Sequence, residues 1–142
     1  MDSATLAAMS TVVTLRTGRF WVDDEGFLRG ECFEGAEETL ADAEEQLREQ
    51  RAHAGGERRP FLMNIARVRS LSRDARNAFA NSDDAYALFS CAALVVGSPL
   101  SRAVGNFFIG LNKPRMPTRL FTSEAEGLAW LREQAALLDG AR

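Results

Sequence analysis

The sequence contains very little histidine, cysteine and lysine, and these shortages exclude several kinds of site. Its one histidine, His53, lies in a Gly/Arg-rich segment, so no Ser/His or Cys/His arrangement for nucleophilic catalysis can be assembled. The two cysteines, Cys32 and Cys91, lie in separate apolar runs and share no ligand spacing with histidine, which argues against a disulfide or a metal site. Walker and G-x-G-x-x-G loops are also absent. We therefore expect a protein that is not an enzyme, with no catalytic residue, metal or cofactor.

The sequence also lacks a surplus of basic residues and any long apolar run. The formal net charge is -3, whereas nucleic-acid-binding domains and segments that bind anionic membranes are normally basic. No apolar run approaches the ~18 residues that a membrane span requires. Residues 1–6 show neither the basic nor the apolar part of a signal peptide. We expect a cytoplasmic protein with no nucleic-acid partner and no membrane span.

The residues that are present favour one α/β domain over residues 1–142. Of the 142 residues, 46% are hydrophobic and 26% are charged, which is enough apolar material for one core. Residues 11–33 alternate apolar and polar positions around an Asp-Asp-Glu-Gly turn, a pattern that predicts an antiparallel hairpin. The unbroken apolar runs 61–65 and 91–96 predict central strands covered on both faces, and a short strand follows at 118–121.

Helical periodicity separates these strands. Helices are predicted over 37–51, from a Ser72 cap to 79, from about 101, and after a capping box that begins at Ser123, and a short turn toward Leu88 is predicted to start at Ser82. The predicted apolar faces of the first, third and last helices are Ala36, Leu40, Ala43 and Leu47; Val104, Phe107, Phe108 and Leu111; and Leu128, Leu131, Ala135 and Leu138. The alternation predicts a small mixed sheet, in which a hairpin is followed by about three largely parallel strands, packed by about four helices.

This order of elements resembles the STAS domain, the fold of the anti-sigma-factor antagonists. The likeness rests on residues 61–65, the loop 66–71, the helix start at Ser72, the strand 91–96, and the segment 120–125 that leads into residues 129–131. In that family an Asp-Ser-Ser/Thr-Gly signature at the helix start carries a serine that a partner kinase phosphorylates. The matching positions here are Ser72-Arg73-Asp74-Ala75, so Arg73 occupies the acceptor position and the glycine is missing. Ser72 is then either a substitute acceptor or a helix cap, and capping is the commoner use of serine there.

The resemblance implies a regulatory module that binds another protein, or a second copy of itself in a homodimer. Its contact surface would include the helix from Ser72 and the loop before it, with Ser72, Arg73, Asp74 and Arg76 as partner-binding or modification residues. Residues 121–131 look more similar to a branch of the fold that resembles the CRAL-TRIO lipid-transfer domains, and this implies a binding domain.

The alternative function is a small-molecule carrier for an anionic or lipid-like ligand. Backbone N–H groups at a helix start, together with hydroxyls and an arginine, bind anions beyond the carboxyl ends of strands. The candidate ligand residues are Asn64, Ser98, Ser101, Arg102, Asn106 and Phe107. The commoner explanation of the segment is that Ser98 or Ser101 caps the helix and Arg102 lies on the surface. Two adjacent phenylalanines, Phe107 and Phe108, cannot both face directly inward on a helix, so one of them could line a cavity or form part of an exposed patch. Core packing of a wide apolar stripe is the commoner arrangement.

Charge is distributed unevenly along the chain. Acidic residues cluster around the first predicted helix, and arginines follow them: Glu34, Glu37, Glu38, Asp42, Glu44, Glu45 and Glu49, then Arg58, Arg59, Arg67, Arg69, Arg73 and Arg76. If the two groups lie on different faces, the domain has an acidic side and a basic side that would orient a charged partner. Solvated surface is the ordinary explanation of such runs.

Overall fold

The computed structural model describes residues 12–140; the predictions for residues 1–6 and for Thr11 lie outside this range. The strands are β1 (Val13–Thr14), β2 (Gly18–Val22), β3 (Leu28–Cys32), β4 (Glu37–Glu38), β5 (Arg59–Asn64), β6 (Ser70–Leu71), β7 (Phe89–Val95) and β8 (Thr118–Phe121). The helices are α1 (Leu40–His53), α2 (Arg73–Asn81), α3 (Asp83–Leu88), α4 (Pro99–Phe107) and α5 (Glu124–Gly140). A π-helical turn, Phe108–Asn112, continues α4.

The sheet has six strands in the order β1-β2-β3-β5-β7-β8. Strands β1, β2 and β3 pair antiparallel, whereas β3, β5, β7 and β8 pair parallel. A separate two-stranded ladder joins β4 to β6 in parallel. The predicted mixed α/β sheet, with an N-terminal antiparallel hairpin and three further parallel strands, is confirmed. Five helices surround it in the described part of the chain, one more than predicted.

The two central strands, β5 and β7, are buried on both faces, as the unbroken apolar runs predict. Phe61 and Met63 of β5 join a core cluster with side chains of α1 to α4, whereas Leu62 joins a second cluster with Leu131 of α5. Helices α1 to α4 therefore cover one face of the sheet, and α5 covers part of the other. No helix within residues 12–140 is long and apolar enough to cross a membrane.

Helix α1 begins later than predicted, at Leu40. Thr39 is its N-cap: the Thr39 hydroxyl accepts a hydrogen bond from the Asp42 amide, and the Asp42 carboxylate accepts one from the Thr39 amide. This capping box starts the helix at that point. The residues before it, Glu37 and Glu38, form β4 instead of a first helical turn. Within the predicted stripe, Ala43 and Leu47 are buried, but Leu40 is exposed and Gln46 and Gln50 are buried in addition.

Helix α4 also differs from the prediction. It begins at Pro99, two residues before Ser101, because the Ser98 hydroxyl caps it by accepting from the Ser101 amide at 3.0 Å. Its buried face holds Ser101, Val104, Gly105 and, in the π turn, Phe108. Phe107 and Leu111, predicted on the same buried face, are 47% and 70% exposed.

Two further details affect the surface. A Cβ at Gly105 would lie 3.0 Å from side-chain atoms of both Leu120 and Val96, so this glycine lets α4 pack closely on the sheet. In α5, Leu131 is fully buried and Leu128 and Ala135 are partly buried. Leu138, predicted on the buried stripe, is 47% exposed, because α5 extends there beyond the residues that it covers.

Candidate functional site

The start of α2 brings together the residues predicted to bind a partner. The Ser72 hydroxyl accepts a hydrogen bond from the Ala75 amide at 3.1 Å, which confirms Ser72 as the helix cap. Arg73 and Asp74 are exposed in the first turn. Arg76, one turn further, is partly buried. Its Nη1 donates to the Leu71 carbonyl at 2.7 Å, so its guanidinium is held against the strand that precedes the helix.

The three charged residues line a cleft of about 500 Å³ between α2 and the π turn. Asn77 lines it from α2, and Leu111 and Asn112 line it from the π turn. Asn112 holds the two walls together: its Oδ1 accepts from Arg76 Nε at 3.1 Å, and its carbonyl accepts from Asn81 Nδ2 at 2.6 Å. Sequence reasoning missed Asn77 and Asn112, because polar residues at these positions carry no periodic signal.

An exposed apolar stripe lies beside this cleft. Leu100, Phe107 and Leu111 are 50%, 47% and 70% exposed, and they recur at helical spacing along α4 and the π turn. The Arg76 guanidinium carbon lies 5.6 Å from the centre of the Phe107 ring, within cation–π distance. We call this surface the α2–π cleft, defined by Arg73, Asp74, Arg76, Asn77, Phe107, Leu111 and Asn112. The adjacent Phe107 and Phe108 were the sequence signal for it.

The residues predicted to bind a small ligand are distributed over separate places. Ser101 is fully buried: its Oγ accepts from the Gly97 amide at 2.9 Å and donates to the Ser98 carbonyl at 2.9 Å. Asn64 donates to Glu124 Oε2 at 2.9 Å and accepts from the backbone of the following turn, in a different groove. Phe107 belongs to the α2–π cleft.

Arg102 and Asn106 alone of that set share a cleft. It has a volume of about 370 Å³ and lies between α4, the edge strand β8 and the start of α5. Arg119 and Glu126 line it as well, together with apolar side chains of the sheet. Arg102 and Arg119 form no ion pair with any described residue.

In the predicted basic group, one arginine pairs with the acidic group and two bind backbone carbonyls. Arg69 pairs with Glu37 at 3.6 Å. Arg58 and Arg59 turn to backbone carbonyls: Arg58 donates to that of Phe89 at 2.8 Å, and Arg59 donates to that of Gly26 at 2.9 Å. These arginines fix the fold locally, and Arg73 is left as an exposed cation at the cleft.

The histidine and the cysteines have structural surroundings. His53 packs edge-on against Phe20, and its Nδ1 lies 2.8 Å from the Glu49 carbonyl. Cys32 and Cys91 are buried and free, and burial raises the pKa of both thiols. No group of three or more His, Cys, Asp or Glu side chains within residues 12–140 is placed to hold a metal ion.

One buried acid is unlike the other carboxylates. Glu38 is 2% exposed, and burial raises its pKa to about 7. Nearby Asp42 shows the opposite behaviour, because hydrogen bonds from Arg16 lower the pKa of its carboxyl to about 2. Sequence reasoning counted both residues in one acidic surface cluster.

Comparisons with known proteins give a family and two structural neighbours. Residues 20–135 match the model of a domain of unknown function, DUF7793. A protein of unknown function from Arthrobacter sp. FB24 is 36% identical over 80% of this chain and 97% of that chain, with a TM-score of 0.32. An uncharacterised DUF3478-family protein from Shewanella loihica PV-4, described as having a SpoIIAA-like fold, is 17% identical over 84% of this chain and 90% of that chain, with a TM-score of 0.49. No curated protein matches the chain. Because the family model spans most of the sequence, the chain belongs to the DUF7793 family.

Proposed function

We propose that this protein is a non-enzymatic regulatory module of STAS type, a single domain that acts by binding another protein or a second copy of itself. The contact surface is the α2–π cleft. The observation that carries this proposal is the meeting of Arg73 and Arg76 with the exposed side chains of Phe107 and Leu111 around one cleft.

This combination has the composition of a protein-binding surface. Arginine and aromatic residues are enriched where binding energy concentrates, and an exposed apolar patch beside polar groups marks a contact site. Arg76 is already oriented by Leu71 and Asn112, so a partner would lose little side-chain entropy by engaging it. Asp74 adds a negative charge beside the two arginines. A partner surface that carries both acidic and basic groups would therefore complement the cleft better than a surface that is only acidic.

Ser72 is the proposed modification residue. It is exposed although its Oγ caps α2, so a kinase could reach the hydroxyl. A phosphoryl group there would lie at a helix N-terminus one residue before Arg73, where negative charge is favoured.

The test compares two double variants with the same kinds of substitution. Arg73→Glu with Leu111→Asp changes the cleft at exposed positions, and Arg48→Glu with Leu137→Asp changes exposed positions of α1 and α5. Arg76 is left unchanged, because its hydrogen bonds to Leu71 and Asn112 stabilise the fold.

Tagged forms are used to capture partners from cells that naturally make the protein, with quantitative mass spectrometry as the readout. We expect the cleft variant to lose a specific partner at least tenfold, and the control variant to retain it. Equal capture by both variants, with both folded by circular dichroism, would show that the contact lies elsewhere.

The second candidate function is a carrier for an anionic or lipid-like molecule. The observation in its favour is the second cleft, where Arg102, Asn106 and Arg119 meet apolar side chains of the sheet. Native mass spectrometry of gently purified protein tests it and also counts subunits. A stoichiometric adduct that Arg102→Ala abolishes supports the carrier, whereas a ligand-free spectrum contradicts it.

A further inference from the structure

A buried carboxyl lies on β4, the strand that pairs with β6 just before α2. Glu38 Oε1 accepts a hydrogen bond from the Thr17 hydroxyl at 3.1 Å. Glu38 Oε2 is also buried and has no hydrogen-bond partner among the described residues. An unpartnered oxygen here costs less in the neutral carboxylic acid than in the carboxylate, which would leave a charged oxygen unsolvated.

The charged groups around Glu38 do not neutralise it. Arg16, from the turn between β1 and β2, donates through Nε and Nη2 to Asp42, in the first turn of α1. Arg16 lowers the pKa of Glu38, but the Asp42 carboxylate raises it, and burial raises it most. The remaining titratable neighbour is the Cys32 thiol at the end of β3, whose own pKa is raised. Glu38 is therefore poised to change its protonation near neutral pH.

Backbone hydrogen bonds connect Glu38 to the α2–π cleft. Glu38 lies on β4, whose ladder partner is β6, and it pairs there with Leu71. The Glu38 carbonyl accepts from the Ser72 amide at 3.0 Å. The Leu71 carbonyl in turn accepts from Arg76 Nη1 at 2.7 Å. Glu38, which carries the buried carboxyl, thus also binds Ser72, the cap of α2. Its ladder partner Leu71 binds Arg76 of the cleft.

The ladder between β4 and β6 is only two residues long on each side. Ladders this short are weak, and regions with few such bonds open most easily. Opening it would admit water to the ionised carboxylate without disturbing the six-stranded sheet.

We propose that Glu38 is a proton-dependent latch on the α2–π cleft: the protonated carboxyl lets the β4–β6 ladder hold the first turn of α2, and ionisation loosens that ladder and mobilises Ser72, Arg73 and Arg76. The consequence of the latch for partner binding rests on the proposed function, because that function makes the α2–π cleft the contact surface. The latch itself is a property of the fold and can be measured without a partner.

The experiment is hydrogen exchange by NMR on the whole chain, corrected for the intrinsic effect of pH. Glu38→Gln carries a neutral side chain at every pH. Glu37→Gln is the matched control, because the Glu37 side chain is 65% exposed on the same strand. Between pH 6 and 8.5, the Ser72 amide should lose about tenfold of its protection in the wild type and in Glu37→Gln, and none in Glu38→Gln, because the open state releases the proton more easily.

Three results would overturn the latch. Ser72 protection in the wild type could follow that of Glu38→Gln at every pH. The ¹³C signal of the Glu38 carboxyl could titrate at the ordinary value of a glutamate, a measurement that does not depend on how the variant folds. Amides of β5 and β7 could lose protection together with Ser72, which would make the effect global. None of these results bears on the capture experiment with Arg73→Glu and Leu111→Asp, so each idea can fail alone.

Discussion

The adjacent residues Phe107 and Phe108 provide a direct test of which face of α4 is free to bind. Phe108 is 5% exposed and belongs to the main core cluster. Phe107 is 47% exposed and contacts the Arg76 guanidinium. Replacing each with alanine removes the same atoms from neighbouring positions of one helical segment, so the difference between the variants reports on burial.

The expected losses follow from that difference in burial. Phe108→Ala leaves a cavity in the core, and such changes cost about 3–5 kcal/mol of unfolding free energy. A fully buried apolar side chain contributes about 1.5–3 kcal/mol, and Phe107→Ala loses about half of this because the ring is about half exposed. The variant also loses part of a weak cation–π contact. We therefore expect a loss of about 1 kcal/mol for Phe107→Ala. The gap between the two variants should be at least about 2 kcal/mol.

Urea unfolding followed by tryptophan fluorescence measures both losses, provided that the slope against urea stays constant. Equal losses would refute the reasoning, because they would mean that Phe107 packs as Phe108 does and that the exposed stripe beside the cleft does not exist. A larger loss for Phe107→Ala would reverse the assignment of the two faces and would remove the apolar part of the proposed contact surface.

Two further predictions concern other parts of the structure. Ser101→Ala should lower the unfolding free energy by about 1 kcal/mol, because the Gly97 amide loses its acceptor; an unchanged urea midpoint would mean that this hydroxyl is dispensable to the fold. Arg16→Met should lower the thermal midpoint at pH 6 and have little effect near pH 2, because the depressed pKa of Asp42 contributes stability above pH 3.8 that is lost as the pH falls through about 2. An undiminished difference at pH 2 would assign the Arg16 effect to packing.

The central strands and the serine-capped helix starts could be predicted because their signals are local. Strands β5 and β7 are covered on both faces, so nearly every side chain must be apolar. The caps at Ser72, Ser82 and Ser98 each require a short side-chain oxygen at one position, where it accepts from the amide three residues later. Neither signal depends on the neighbouring elements.

The buried face of α4 could not be predicted, because half of it is not apolar. Ser101 and Gly105 lie inward beside Val104 and Phe108. Ser101 is buried by its hydrogen bonds, and Gly105 is buried because only a residue without a Cβ fits against Leu120. Hydrophobic periodicity counts neither of them, so it extended the predicted stripe from Val104 and Phe108 to Phe107 and Leu111. The helix leaves the side chains of Phe107 and Leu111 open.

The burial of Glu38 follows from strand geometry and not from composition. Successive side chains of a strand point to opposite sides, so in β4 one of Glu37 and Glu38 must face inward once the strand pairs with β6. A leucine at position 38 would satisfy that geometry without an unsolvated oxygen. Burial of a carboxyl there makes the stability of the strand depend on pH. The carbonyl of the same residue binds Ser72, the cap of α2. Glu38→Leu should therefore remove the pH dependence of Ser72 protection while keeping the ladder closed, which is the behaviour expected of a proton latch.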